Sequence, residues 1–257
     1  LHVRGRRQRQ MCIRDSLGAL SANAFGSAIG ALIGGHLSDK FGRKVIYTYD
    51  MLVYMLGTAI IAFSINFPML LTGFLITGIA VGAGVPASWT YISETSGSTD
   101  RAKNIGISQF AWSMGPAIIF IAGTILAPIG LLGNRLLFVF LTIVAFIAWR
   151  LQSKLEESQV FEEQKQAEKD SGITSHPYKD LFSNMVNIKS LLFLIGVYMF
   201  WNLVAGAMGF FMPYVYETVG GLTNMQANLL QAVLWILTAL GTYVGFAKFG
   251  DPVSYTH

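Results

Sequence analysis

Long runs without a charged residue alternate along this chain with short segments in which charges gather. Asp, Glu, Lys and Arg are absent from two early stretches, residues 16–38 and 51–93. Further uncharged stretches cover residues 104–134, 136–149, 190–216 and 218–247. A helix that crosses a bilayer needs about 20 apolar residues, so each stretch holds one or two such helices. The pattern predicts an all-α polytopic membrane protein.

Helix-breaking residues divide the longer stretches. The segment Asn66-Phe67-Pro68 splits one stretch, and residues 128–135, which begin with a proline, separate the next pair of helices. We therefore predict membrane spans at residues 17–38, 45–65, 69–93, 104–127, 133–150, 190–216 and 223–248.

Glycines four residues apart indicate that two helices pack closely. The contact is either a static packing surface or a surface along which the helices slide. These glycines are Gly26, Gly30 and Gly34 in the first span, and Gly78 and Gly82 in the third.

Both chain ends carry sequence that does not fit this pattern. Residues 6–16, RRQRQMCIRDS, and residues 253–257, VSYTH, are both translations of one common sequencing-library transposon adapter. We therefore expect residues 1–16 and 252–257 to be adapter-derived and not to belong to the native fold. The alternative for the first segment is a natural basic N-terminal arm. The native piece is then a fragment of about residues 17–251, open at both ends.

Excluding these ends changes the charge balance. The first segment holds five of the 18 Lys and Arg, one of the 14 Asp and Glu, and the only cysteine, Cys12. The remaining chain carries as many basic as acidic residues, so its composition gives no basis for binding nucleic acid. It also offers no disulfide or thiol chemistry. Within the spans no spacing of His with acids, Cys with His, or metal ligands occurs, so we expect no enzyme activity, no catalytic residues, no metal and no cofactor.

The loops between spans alternate in charge. Arg135 is the only basic residue on one side, whereas all other loop Lys and Arg lie on the opposite side. The positive-inside rule places the loops at residues 39–44, 94–103 and 151–189 in the cytoplasm of a cell-membrane protein. Residues 151–189 form a long charged linker. This linker separates an N-terminal bundle, residues 17–150, from the start of a C-terminal bundle, residues 190–251.

The most charged turn, residues 34–44, reads GGHLSDKFGRK. A tight turn between two spans needs a glycine such as Gly42 for unusual backbone angles, and Asp39 is a short acid that can cap a helix start. The planar guanidinium of Arg43 can form two hydrogen bonds with a carboxylate at the level of the lipid headgroups. Positive-inside anchoring alone explains Lys40 and Lys44, but not the complete order of residues in this turn.

That order, Gly35-x-Leu37-x-Asp39-x-x-Gly42-Arg43-Lys44, resembles the signature loop between spans two and three of the major facilitator superfamily. Two further segments resemble the sugar-porter branch of that superfamily. The block from Pro86 to Glu94, followed by Arg101, is similar to the exit of its fourth span. The segment LEESQVF, residues 155–161, is similar to its E-S-P-R-[FW] motif, with Gln and Val in place of Pro and Arg. The resemblance implies a major-facilitator fold of which this chain covers about spans two to eight of twelve.

The resemblance also implies roles for individual residues. It places a cytoplasmic gating charge network, which clamps the two halves together, at Asp39, Arg43, Glu94, Arg101 and Glu157. For Glu157 an ordinary solvated linker charge is the alternative. The two halves of this fold are parallel repeats, and residues 241–251 echo residues 30–39. Asp251 is therefore the expected second-half partner of Asp39.

Candidate substrate residues lie on two spans. Gln109, eight residues after Arg101, matches a glutamine that binds sugar hydroxyls in sugar porters. The paired glutamines of their seventh span are absent, and Phe200-Trp201-Asn202 stands there instead, a pattern similar to that of inositol transporters. Asn202 can contact a polar solute, with Trp201 and Trp112 either as faces for a ring or as helix packing. An acid inside a span is a functional candidate, so Asp50 is a candidate coupling residue, with a structural role as its alternative.

The function that follows is secondary transport of a sugar or polyol by alternating access. The family resemblance implies that this transport is coupled to protons. Its expected partners are the bilayer, a small polar solute and protons, with no nucleic acid, and the expected state is a monomer. A drug or organic-acid carrier on the same fold is the first alternative. A substrate sensor that has lost transport is the second.

Overall fold

A computed structural model of the chain describes residues 2–97, 100–171, 182 and 184–245. The regular elements are helices: α1 His2–Phe41, α2 Arg43–Ala62, α3 Phe67–Thr95, α4 Arg101–Leu126, a 3-10 turn Ala127–Ile129, α5 Leu131–Gln152, α6 Gln159–Ser171, α7 Met185–Thr218 and α8 Asn224–Gly245. Among the described residues, six helices, α2 to α5, α7 and α8, are long and apolar enough to cross a membrane. These six agree with the last six predicted spans.

The first predicted span lies inside α1, which is not one of these six. The same helix includes residues 2–16, whose adapter origin stays a prediction. Residues 172–181 and 183 of the predicted linker and the echo residue Asp251 lie outside the described residues. Within the described part of the linker, residues Gln159–Ser171 form the charged helix α6.

Local signals explain where the helices end. Gly42 is the one residue between α1 and α2, and its φ of 107° lies where residues with a side chain are strained. Asn66 begins α3 by accepting a hydrogen bond from the Met69 N–H at 2.9 Å, and Pro68 occupies the first turn, where its missing N–H costs nothing. Gly130, with φ 65°, turns the chain from α4 into α5.

The two glycine stripes pack against each other. A Cβ on Gly26 would meet backbone atoms of Leu75 and Gly78, and a Cβ on Gly82 would meet the carbonyl group of Ser27. Only glycine permits this approach of α1 to α3, which the spacing predicted. Across the same contact, Asn23 Nδ2 donates to the carbonyl oxygen of Phe74 and to Thr77 Oγ1, both at 3.2 Å.

Two more contacts complete the packing. The helix α2 lies between α3 and α5, where Thr142 of α5 and the buried Thr58 are joined by a hydrogen bond of 3.0 Å. The helix α4 packs along α8, and the two helices form one interface. This interface joins the segment before the linker to the segment after it.

Candidate functional site

Arg43 is the centre of the charge cluster at the predicted cytoplasmic end of the helices. Its Nε and Nη2 both lie 3.2 Å from Glu94 Oε1 at the end of α3, and its Nη2 lies 3.4 Å from Asp39 Oδ1. The Arg43 side chain is 9% exposed, whereas that of Asp39 is 54% exposed. The Arg43–Glu94 pair is therefore the less screened of the two and contributes more to holding α2 on α3.

Glu157, just before α6, caps the start of α2. Its carboxylate accepts hydrogen bonds from the backbone N–H of Arg43 at 3.1 Å and from that of Lys44 at 3.1 and 3.2 Å. The expectation that Asp39 caps this helix is wrong, because Asp39 lies in the last turn of α1 and its carboxylate turns to Arg43 instead. A carboxylate at a helix N-terminus also interacts favourably with the helix dipole. Glu157 is therefore docked, which argues against a solvated linker charge.

Aromatic contacts hold the linker at the same place. The ring of Phe161 is buried, with the Arg43 guanidinium 5.0 Å and Lys165 Nζ 4.9 Å from its centroid. Tyr91 of α3 donates its hydroxyl proton to the carbonyl oxygen of Glu156 at 2.9 Å. We refer to Asp39, Arg43, Glu94 and Glu157 as the gate cluster. It connects α1, α2, α3 and the start of the linker.

Phe161 and Tyr91 were not assigned a role from the sequence, although both lie in the quoted motif segments. For Phe161 the signal was an aromatic residue near the predicted charges, which is typical of cation–π pairing. Tyr91 contributes a hydrogen bond instead. Arg101, in contrast, is exposed at the start of α4 and makes no ion pair with any described residue. Four of the five residues predicted for the charge network therefore lie together in this structure, and Arg101 lies apart from them.

The candidate substrate residues lie on α4 and α7. Gln109 is half-buried, and its side-chain amide has no hydrogen-bond partner among the described residues, whereas Asn202 Nδ2 donates to the carbonyl oxygen of Tyr198 within its own helix. Trp112 is 49% exposed and Trp201 is 59% exposed. No hydrogen bond or ring contact in the described part of the chain joins the α4 pair to the α7 pair.

Asp50 is buried between α2 and α3. Its carboxylate lies against Gly84, which has no side chain to occupy that space. Asp50 Oδ1 has no hydrogen-bond partner among the described residues. No group of three or more His, Cys, Asp or Glu suited to a metal occurs in the described segments.

Comparison with known proteins identifies the family. A family model described as Major Facilitator Superfamily matches residues 13–252. The chain belongs to this superfamily. With its apolar helices, it is a multi-pass protein of the cell membrane.

Relatives within the superfamily differ in how much of the chain they match. The chain is 47% identical over 245 residues to the Minor myo-inositol transporter IolF of Bacillus subtilis (strain 168), covering 93% of this chain and 56% of that protein. It is 34% identical over 96 residues to the Niacin transporter NiaP of Acinetobacter baylyi, covering 37% of this chain and 22% of that protein.

A solved structure shows the same fold. The crystal structure of a D-xylose-proton symporter matches 91% of this chain with a TM-score of 0.69 at 21% identity, and the chain covers 58% of it. The chain thus spans a little over half the length of the inositol transporter and of this symporter. The major-facilitator fold predicted from the charged turn is confirmed.

Proposed function

We propose that the protein is part of a secondary transporter that moves a polyol or sugar by alternating access between its two helix bundles. The observation that carries this proposal is the gate cluster. Charge pairs and charge-assisted hydrogen bonds of this kind contribute about 0.5–3 kcal/mol each. That is sufficient to favour one state of a two-state protein without making the other inaccessible. Arg101, exposed here, is available to join the gate in another state.

A polyol is the substrate class that the comparisons favour. The relative named as a myo-inositol transporter matches 93% of the chain, whereas the niacin transporter matches 37%. We assign Gln109 as the first hydroxyl-binding residue, because its unpartnered, half-buried amide can donate and accept. Asn202, Trp201 and Trp112 are proposed to complete the site when α4 and α7 approach each other.

Proton coupling is the second part of the proposal. A neutral polyol carries no charge that a membrane potential can act on, so accumulation against a gradient needs a coupled ion. Asp50 is the residue assigned to bind the proton, because its carboxylate is buried within a membrane-spanning helix and its Oδ1 has no hydrogen-bond partner among the described residues.

The test is counterflow of labelled solutes into liposomes that contain the full-length transporter. We expect labelled myo-inositol to exchange, and labelled hexoses to exchange more slowly. Exchange should fall in the Gln109→Leu variant, whereas Gln164→Leu, a change of the same type at an exposed position of α6, should retain it.

Each contrary outcome has a distinct meaning. Binding of inositol without counterflow would overturn transport and favour a sensor. Exchange of nicotinate or another aromatic acid in place of inositol would overturn the polyol substrate and favour an organic-acid carrier.

A further inference from the structure

Gln231 of α8 is a polar side chain in the middle of an apolar helix interface. It is 1% exposed, and its Oε1 has no hydrogen-bond partner among the described residues. One turn later, Trp235 Nε1 is also buried and unpartnered in the described part of the chain. Residues four apart lie on the same face of a helix. An acceptor and a donor therefore stand unpaired side by side.

Two contacts fix the position of this pair against α4. The rings of Phe110 and Tyr243 lie 5.8 Å apart, and Asn228 Nδ2 lies 3.7 Å from where a Cβ of Gly123 would be. The two helices are thus antiparallel, with Gln231 and Trp235 between these two levels. The buried position of α4 nearest the level of Trp235 is Ala117, whose side chain is small.

The backbone of α4 is altered at this height as well. Pro116 lies inside the helix and has no N–H, so the carbonyl oxygen of Trp112 loses its usual helical donor. Ser113 does not supply a partner for α8, because its hydroxyl already donates to the carbonyl oxygen of Gln109 at 3.2 Å.

An unpaired amide and an unpaired indole N–H in a membrane interior are both unfavourable, since neither has water to bond to. A hydroxyl group resolves both at once, because it donates one proton and accepts through its oxygen. We propose that Gln231 and Trp235 form a binding site for a single hydroxyl group in the α4–α8 interface. The hydroxyl belongs either to a buried water or to the transported polyol; the second source rests on the proposed function.

The test compares the full-length transporter with its Gln231→Met and Trp235→Phe variants, each of which removes one polar group. Gln231→Met keeps an apolar side chain of similar shape, whereas Trp235→Phe leaves a smaller aromatic ring. Thr238→Val, on an exposed part of the same helix, is the control. The thermal midpoint is measured without ligand and with myo-inositol, and KM is measured by counterflow.

If water is bound, both variants lower the midpoint of the ligand-free protein by a few degrees, and inositol-dependent stabilisation stays as in the wild type. If the polyol supplies the hydroxyl, the ligand-free midpoint is unchanged and KM rises roughly 5- to 30-fold in both variants, as for a lost hydrogen bond. The control changes in neither measurement.

Other outcomes overturn the site. An unpartnered amide replaced by an apolar group of the same shape is neutral or stabilising. A Gln231→Met variant with an equal or higher midpoint and an unchanged KM would therefore contradict the proposal, as would a response of only one of the two variants. Should Gln231→Met not fold, Trp235→Phe decides alone. A wild type without any response to inositol contradicts the proposed function, but the ligand-free midpoints still test the site.

Discussion

At the scale of single residues, the bonds of the gate cluster converge on the Arg43 guanidinium. It pairs with Glu94 and Asp39, and it lies 5.0 Å from the centroid of the Phe161 ring. The planar guanidinium offers several N–H donors in a fixed geometry, which the ammonium of a lysine does not. We expect Arg43→Gln to destabilise the transporter by about 2 kcal/mol, because Glu94 is left partly buried without a cation. The thermal midpoint should fall by roughly 4–8 °C.

Arg43→Lys should lie between the wild type and Arg43→Gln, because it keeps the charge but loses the planar guanidinium. The control is Lys40→Gln, which removes an exposed cation from the same turn and should shift the midpoint little. Equal midpoints for Arg43→Gln and Lys40→Gln would show that the Arg43 pairs are energetically unimportant.

Gly42 is the residue that allows Glu157 to reach the start of α2. Its φ of 107° strains any side chain, and a Cβ there would collide with the Glu157 carboxylate. We expect Gly42→Ala to cost about 1–2 kcal/mol from backbone conformation alone, with the displaced cap adding to it. The midpoint is again the measurement. Gly35→Ala is the matched control, because a Cβ at Gly35 meets no atom within 4 Å; a loss as large there would refute the explanation.

At the scale of elements, the sequence was sufficient for the helices and for the α1–α3 contact. The runs without charge located α2 to α5, α7 and α8, because desolvation of charge dominates helix placement in a bilayer. The spacing of Gly26 and Gly82 with their neighbouring glycines indicated close packing, since only glycine permits it. The docking of the linker onto α2 was not predictable, because it depends on a carboxylate 114 residues from Arg43 in sequence.

The linker helix α6 should be held in place largely by the residues at and just before its start, among them Glu157. Glu157→Ala removes the cap of α2, worth about 1 kcal/mol, so the linker should open roughly fivefold more often. The measurement is the rate of limited trypsin cleavage after Lys165 in the full-length transporter. Glu163→Ala, an exposed acid on the same helix, should cleave at the wild-type rate. Faster cleavage in both variants would mean that the loss of a negative charge from the linker, rather than the loss of the cap of α2, makes the linker open more often.

At the scale of the whole molecule, the α4–α8 interface joins the two segments on either side of the linker, and the gate cluster attaches the start of the linker to α2 and α3. The resemblance of the charged turn and of the fourth-span exit to the family motifs predicted that Asp39, Arg43 and Glu94 belong to one network, and these three side chains are partners in the structure. The charge pattern did not predict Gln231, since an uncharged amide in an apolar run gives no signal until the facing helix is known. Which residues meet across the interface depends on the register of α4 and α8, which the sequence leaves open.

The coupling of transport to protons is the property that Asp50 should control. A gradient of one pH unit drives about tenfold accumulation of a neutral solute carried with one proton, since it supplies about 1.4 kcal/mol. We expect Asp50→Asn to abolish this accumulation. The amide fills the same space against Gly84, but it binds no proton at the pH values of the assay. Counterflow, which needs no net proton movement, should persist.

The experiment measures labelled inositol in liposomes with and without an imposed pH gradient, and counterflow in the same preparation. Asp100→Asn is the control: it removes an exposed acid at the start of α4 and should leave accumulation intact. Accumulation retained by Asp50→Asn would assign proton binding to another residue and leave Asp50 a structural role between α2 and α3. Loss of both accumulation and counterflow would instead make Asp50 necessary for the conformational change itself, so the two assays together separate coupling from movement.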